Sequence, residues 1–274
     1  MRKTVLQISF GIFVLSWAIW FSDGNLQTEL LGLVVGIAGA IGIEFLDYMY
    51  EQRHFLRLYW DCYKPWGRPE LRLTLAYLYK IEVNGKYLLI KSNRIENTYQ
   101  PVGGVYKYFY PEAKSDLDSI GAVTDNKINN DDTSEFDLRL TLLSRKKIGK
   151  FLNWFFTTQE RERDPWREFY EELVEPGVLP SEEFRYIHYE LIGQHFEPIH
   201  FDKFFQVDTF KYVDIYRPKL INSKQIDEFK KLLSRSSSEY IWVTVDEIQR
   251  GKSSAGHLIA EHTYKIFKTN KVRL

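Results

Sequence analysis

Among the residues able to do chemistry, Arg167-Glu168-Phe169-Tyr170-Glu171-Glu172 stand out, close behind Asp164-Pro165. Asp favours the helix N-cap and Pro the first helical position, so a helix is expected to begin there. Three- and four-residue spacing then puts the carboxylates of Glu168, Glu171 and Glu172 on one face. Oxygen ligands gathered in this way suit a hard cation such as Mg²⁺, which binds through carboxylates together with substrate phosphates. The same residues also suit a solvated acidic face near a helix N-terminus, where the dipole favours Glu. Only the surrounding elements separate the two readings.

Composition narrows the field. The chain has 274 residues, with 37 Lys plus Arg balanced by 37 Asp plus Glu. A net charge of zero supplies no global basic field for a DNA or RNA duplex. Cys62 is the one cysteine, which excludes an intrachain disulfide framework and a multi-cysteine metal site. His188, His195 and His200 have no ligand-like spacing and read as ordinary surface or core histidines.

The first fifty residues are a different material. Thr4 to Phe21 carries no charge, and Leu30 to Ile43 is also apolar, joined by the polar, turn-forming residues 22–29. The first run reaches about 27 Å as a helix, close to the hydrocarbon thickness of a bilayer. A two-helix transmembrane hairpin over 1–50 is therefore expected, followed by a juxtamembrane linker over 51–70. A cleaved signal peptide, a buried helical hairpin and an interfacial helix are the alternatives. The second apolar run opposes the first of these, and the lack of a charged face opposes the last. Arg2 and Lys3 precede the pair and Arg53, Arg57, Lys64 and Arg68 follow it, which predicts cytoplasmic termini. Gly32, Gly36 and Ala40 form a small-residue stripe suited to close packing between spans or subunits.

Beyond the linker, apolar alternation predicts a strand from Leu71, a hairpin turn at Asn84-Gly85 and a return strand over Lys86 to Ile90. Pro101-Val102-Gly103-Gly104 calls for a tight turn or a close backbone approach. Tyr106 to Tyr110 reads as a further strand, and Ser115 to Asp137 as a polar, mobile insertion. A strand at Leu138 to Leu143 and a helix or turn over Lys150 to Phe156 lead to the acidic helix. Strands around 184–196 and 205–216, a helix over Ser223 to Leu233, a strand at Tyr240 to Val245 and a helix at about 255–268 complete the chain.

In this order, the hairpin, the Gly-Gly turn, the Arg167 to Glu172 helix and Trp242-Val243-Thr244-Val245-Asp246-Glu247 resemble the Nudix fold over about residues 71–268. That family's box reads Gly-x5-Glu-x7-Arg-Glu-U-x-Glu-Glu-x-Gly-U, where U is apolar, and Arg167 to Glu172 matches its helical core. The resemblance implies an α+β fold, an α/β/α Nudix-like sandwich with a mixed sheet, filling 71–274 with an insertion at about 113–160. It also implies Glu168, Glu171 and Glu172 as Mg²⁺ ligands, with Arg167 orienting them. The chain departs from the box in two ways. Gly103-Gly104 lies far upstream of Arg167, with Phe109 and Tyr110 where the box has Glu, and Leu173 to Pro176 separates Glu172 from Gly177.

Two expected spans before a divergent Nudix domain, with Tyr99 to Tyr106 reading Tyr-Gln-Pro-Val-Gly-Gly-Val-Tyr, look like the SMODS-associated Nudix effectors of bacterial CBASS antiphage systems. The resemblance implies a protein of the inner membrane. A cyclic oligonucleotide from a partner nucleotidyltransferase would bind the cytoplasmic domain, and the hairpins would form a homo-oligomer that disrupts the lipid bilayer. Arg72, Arg94 and Lys107 would meet the ligand's phosphates beside the backbone of Gly103 and Gly104. Bases would stack on Tyr99, Tyr106 or Tyr108. The alternatives are a membrane-anchored Nudix hydrolase that cleaves a nucleoside diphosphate derivative with Mg²⁺, and a structural anchor that binds no small molecule.

Overall fold

The computed structural model describes residues 53–267 apart from 65–66, 126 and 128–133, together with residues 16, 20, 24, 36, 39, 42–44, 46, 49 and 50. The chain divides into two compact units, Met1–Leu56 and Arg57–Leu274. In the first, the described residues up to Tyr50 are helical.

Helix α1, Arg53–Tyr63, leads into the second unit and buries Leu58 and Cys62. Strands β1, Leu71–Tyr79, β2, Glu82–Val83, β3, Lys86–Lys91, β4, Thr98–Gln100, and β5, Gly103–Val105, follow. Asn84 and Gly85 have φ of 51° and 73°, which is the mirror-image hairpin turn that Asn-Gly favours. After α2, Lys114–Ile120, come β6, Ala122–Thr124, β7, Arg139–Leu142, and α3, Ile148–Thr157. Ile148, Phe151, Leu152 and Phe155 repeat at helical spacing and form the buried stripe of α3. The acidic segment is α4, Trp166–Phe169, which widens into a π-helical turn at Tyr170–Val174. Its signature is the Glu175 N–H donating to the carbonyl of Tyr170 at 2.9 Å.

Next come α5, Ser181–Phe184, β8, His188–Phe196, β9, His200–Asp202, and β10, Val207–Lys219. Helix α6, Ser223–Ser234, is capped by Asn222, whose side chain accepts from the Gln225 N–H at 2.8 Å. Strand β11, Tyr240–Val243, helix α7, Val245–Arg250, strand β12, Leu258–Ile259, and a 3₁₀ segment at Glu261–Ile266 close the described chain.

The strands form two mixed sheets. The larger runs β6-β7-β1-β10-β8, with β5 also on β1 and β9 on β10. Its centre is the parallel pair of β1 and β10, aligned from Arg72 opposite Thr209 to Tyr79 opposite Tyr216. The smaller runs β11-β3-β4-β12, with β2 on β3. Strand β1 has buried side chains on both faces, because it lies at the centre of the larger sheet. One core packs Leu78, Val213 and Ile215 of the larger sheet against Leu89, Tyr99 and Val243 of the smaller. Phe169, Phe184 and Phe229 meet in an aromatic row that seats the acidic segment.

Several expectations change here. Residues 106–110 form no extended strand; Lys107 and Tyr108 make isolated bridges to Asp137 and Arg161. The expected insertion contains α2 and β6, anchored by buried Leu117, Ile120 and Ala122. The α+β sandwich with mixed sheets stands, but the transmembrane hairpin expected before it does not. Among the described residues no helix is long and apolar enough to cross a membrane. Helix α1 has only 11 residues and carries Arg53, Arg57 and Asp61. Most of both expected spans, with Gly32 and Ala40, lies outside the described residues. The inner-membrane location and the bilayer-disrupting oligomer lose their structural basis together.

Candidate functional site

Strand β5 and the acidic segment are joined by close approach. Gly103 adopts φ of 146°, and its N–H donates to Glu172 Oε2 at 2.8 Å. A Cβ on Gly103 would lie 2.2 Å from the Tyr77 carbonyl oxygen, and one on Gly104 would lie 1.9 Å from Glu168 Oε1. Both positions therefore need glycine, for the backbone and for the carboxylate resting on it.

Arg167 organises the acids around this contact. Its Nε donates to Glu162 Oε1 at 2.9 Å, and its Nη1 donates to Glu168 Oε1 at 2.7 Å and to Glu171 Oε2 at 3.1 Å. Its Nη2 donates to the Val105 carbonyl at 3.0 Å and to Glu162 Oε2 at 3.2 Å. One planar fork thus ties three glutamates to β5, which the single ammonium of lysine could not do. Burial opposes the guanidinium charge, but Glu162, Tyr77 and Glu168 outweigh it and raise the pKa of Arg167. Burial holds Glu162 above the usual carboxylate range against the pull of Arg167. Glu172 is driven well above that range by burial and then by Glu168, with the Gly103 N–H opposing.

A second polar group lies behind the first. Asp214 on β10 accepts from Tyr106 at 2.6 Å, from Tyr212 at 2.6 Å and from Gln194 at 3.0 Å. Burial raises the pKa of Asp214, against these three hydrogen bonds. The guanidinium carbon of Arg161 sits 5.0 Å from the Tyr106 ring centroid.

The residues expected from the sequence fall into two groups. Gly103, Gly104, Arg167, Glu168, Glu171 and Glu172 come together. Lys107 joins them through its backbone, its N–H donating to Glu162 Oε2 at 3.2 Å. Arg94 stays in an exposed loop. Arg72 is buried, paired with Asp125 at 2.5 Å and lying over the Phe205 ring. Tyr99 and Tyr106 are buried, their hydroxyls donating to the Ser238 carbonyl and to Asp214, so neither offers a free ring face. Sequence reasoning missed Glu162, the main partner of Arg167. The charged run Arg161-Glu162-Arg163-Asp164 ahead of Pro165 was the available signal. Trp242 to Glu247 forms strand and helix as expected, with Glu247 committed to the capping box of Thr244.

A mixed-sheet sandwich with an arginine-clamped row of glutamates packed on a Gly-Gly strand defines a Nudix-type domain. The chain belongs to the SMODS-associated NUDIX domain family, whose model matches residues 70–267. None of the curated proteins compared with the chain matches it. SMODS-associated Nudix domains are typically linked to cyclic-oligonucleotide signalling.

Nudix-family proteins often use divalent metal ions. The donor chemistry here fits one: Glu172 lies beside Glu168, and a hard cation would offset the repulsion between these two carboxylates. Glu168, Glu171 and Glu172 would hold it. In the present arrangement Arg167 engages the first two, and among the described residues no three His, Cys, Asp or Glu side chains are gathered as a cation site.

Proposed function

We propose that this domain is a Nudix-type hydrolase that uses Mg²⁺ to cleave the pyrophosphate of a nucleoside diphosphate derivative. The observation that carries this reading is the half-buried Glu172 carboxyl on the Gly103 N–H, with Glu168 packed over Gly104. Glu168, Glu171 and Glu172 supply oxygen donors, and Arg167 fixes two of them. Arg94 and Lys107, whose charges both act on Asp137, add positive charge for the substrate's phosphates. Mg²⁺, when bound, polarises the phosphoryl oxygen and lowers the pKa of water. Water adds across the P–O–P bridge and two phosphomonoesters leave. The test incubates the full chain with Mg²⁺ and nucleoside diphosphate derivatives and follows nucleoside monophosphate by chromatography. Turnover that disappears in Glu172→Gln supports the reading, and no product from any such compound contradicts it.

A second reading is favoured by the ion pairs of Arg167 with Glu168 and Glu171, which occupy two of the proposed ligands. On it, the same face binds a cyclic oligonucleotide from a partner nucleotidyltransferase without turnover. Tight binding of a cyclic oligonucleotide that stays intact in Mg²⁺, with no pyrophosphatase activity, distinguishes it.

A further inference from the structure

A second charged cluster lies beside the acidic segment. Arg139 opens β7 opposite Thr74 of β1, and Arg72 lies opposite Thr141, so the two arginines share one face of the sheet. They are neutralised unequally. Arg72 Nε sits 2.5 Å from Asp125 Oδ2, whereas Arg139 Nη1 lies 3.3 Å from Asp137 Oδ2. Among the described residues, that Nη1 atom is buried with no hydrogen-bond partner. The Arg139 and Asp137 side chains are 12% and 9% exposed, so this loosely met guanidinium has little water to compensate it.

The surroundings add positive charge. Burial pushes the Asp137 carboxyl up to about 6 although Arg139, Lys107, Arg167 and Arg94 all pull it down. Burial lowers the pKa of Arg139; Asp137 opposes this, while Arg94 and Arg72 reinforce it. Lys107 bridges to Asp137 on one side. On the other, its carbonyl accepts from the Glu162 N–H at 2.7 Å, and Glu162 holds Arg167. The cluster is thus continuous with the glutamates on β5.

We propose that Arg139, assisted by Arg94 and Lys107, is an anion subsite that receives a phosphate group of the ligand. The proposal rests on the nucleotide reading of the acidic site and adds a residue to it. A phosphate presents paired oxygens to the planar guanidinium fork, a match that the 3.3 Å contact of Nη1 with Asp137 does not provide. Asp137 then acts as the internal competitor that the phosphate displaces. The shared chemistry is a phosphate anion, whether terminal in a pyrophosphate or a diester in a cyclic oligonucleotide.

The test is calorimetric titration of the full chain, without metal, with inorganic pyrophosphate and separately with a cyclic dinucleotide. Arg139→Lys keeps the charge and removes the fork, and should weaken binding of at least one probe by about tenfold. Asp137→Asn removes the competitor and should tighten the same probe severalfold, an effect that a merely damaged fold would not give. Loss confined to pyrophosphate assigns the subsite to terminal phosphates, and loss confined to the cyclic dinucleotide assigns it to diesters. Unchanged affinity in Arg139→Lys, weaker binding in Asp137→Asn, or no binding of either probe by the parent chain overturns the proposal. If probe binding depends on Arg139 while the chain hydrolyses nothing in Mg²⁺, the hydrolase reading fails and the subsite stands.

Discussion

The main-chain N–H of Gly103 donates to the Glu172 carboxylate at 2.8 Å, joining two residues 69 positions apart. That bond lets β5 and the acidic segment form one surface. It also fixes which mutations separate folding from chemistry.

Glu172 titrates above its ordinary range because it is buried beside Glu168. The folded state then holds a proton that the unfolded chain releases, so stability rises as pH falls through the raised pKa toward the ordinary carboxylate value of about 4. Glu172→Gln keeps the side chain's size and removes the charge. Its thermal midpoint near pH 8 should equal or exceed that of the parent, while Mg²⁺ should no longer raise it. A lower midpoint at every pH would show that the carboxylate stabilises the fold.

Gly104→Ala places a methyl group 1.9 Å from Glu168 Oε1. Glu168 must leave the strand, and overpacking of this kind costs about 2 kcal/mol. Denaturant unfolding should register that loss, and any Mg²⁺-dependent turnover should fall by more than ~10-fold, since small displacements at reacting centres are costly. A variant with unaltered turnover would remove Gly104 from the site.

Arg167→Lys retains a cation but cannot bind Glu162, Glu168 and the Val105 carbonyl together. Breaking a largely buried ion-pair network leaves carboxylates uncompensated, at about 2–4 kcal/mol. Arg167→Lys should therefore be less stable in urea than Glu171→Gln, because Glu171 is 46% exposed and its pair contributes little.

Glu247 tests a purely structural acid. Burial would raise its pKa, but hydrogen bonds from Ser254 and Thr244 prevail and hold it at about 2. A carboxyl depressed in this way stabilises the fold above its unfolded pKa. The contribution is lost as pH falls from about 4 to about 2. Glu247→Gln should flatten the acid limb of the stability profile within that window and leave turnover near neutral pH unchanged.

Local signals located most elements. Asn84-Gly85 produced its turn, the spacing of Phe229 and Leu232 produced a helix, and Arg167 to Glu172 marked the acidic segment. What was hidden depends on tertiary contact. The ring-rich run 106–110 resembles a strand, but its backbone pairs at Lys107 and Tyr108 as isolated bridges to Asp137 and Arg161. The polar stretch from 115 folds because Leu117, Ile120 and Ala122 are apolar enough to anchor it. Glu162 escaped notice because its partner is set by the fold and not by the spacing of the box. The apolar composition of residues 4–43 pointed to a membrane, whereas no described helix has the length and apolarity to cross one.

The most direct test of the central claim is Mg²⁺-dependent hydrolysis of a nucleoside diphosphate derivative by the full chain, compared with its Glu172→Gln variant. The acidic site on β5 predicts nucleoside monophosphate from the parent in Mg²⁺, none in chelator, and none from a folded Glu172→Gln variant. Equal product from the parent and the variant, or none from the parent with any pyrophosphate tested, would contradict it.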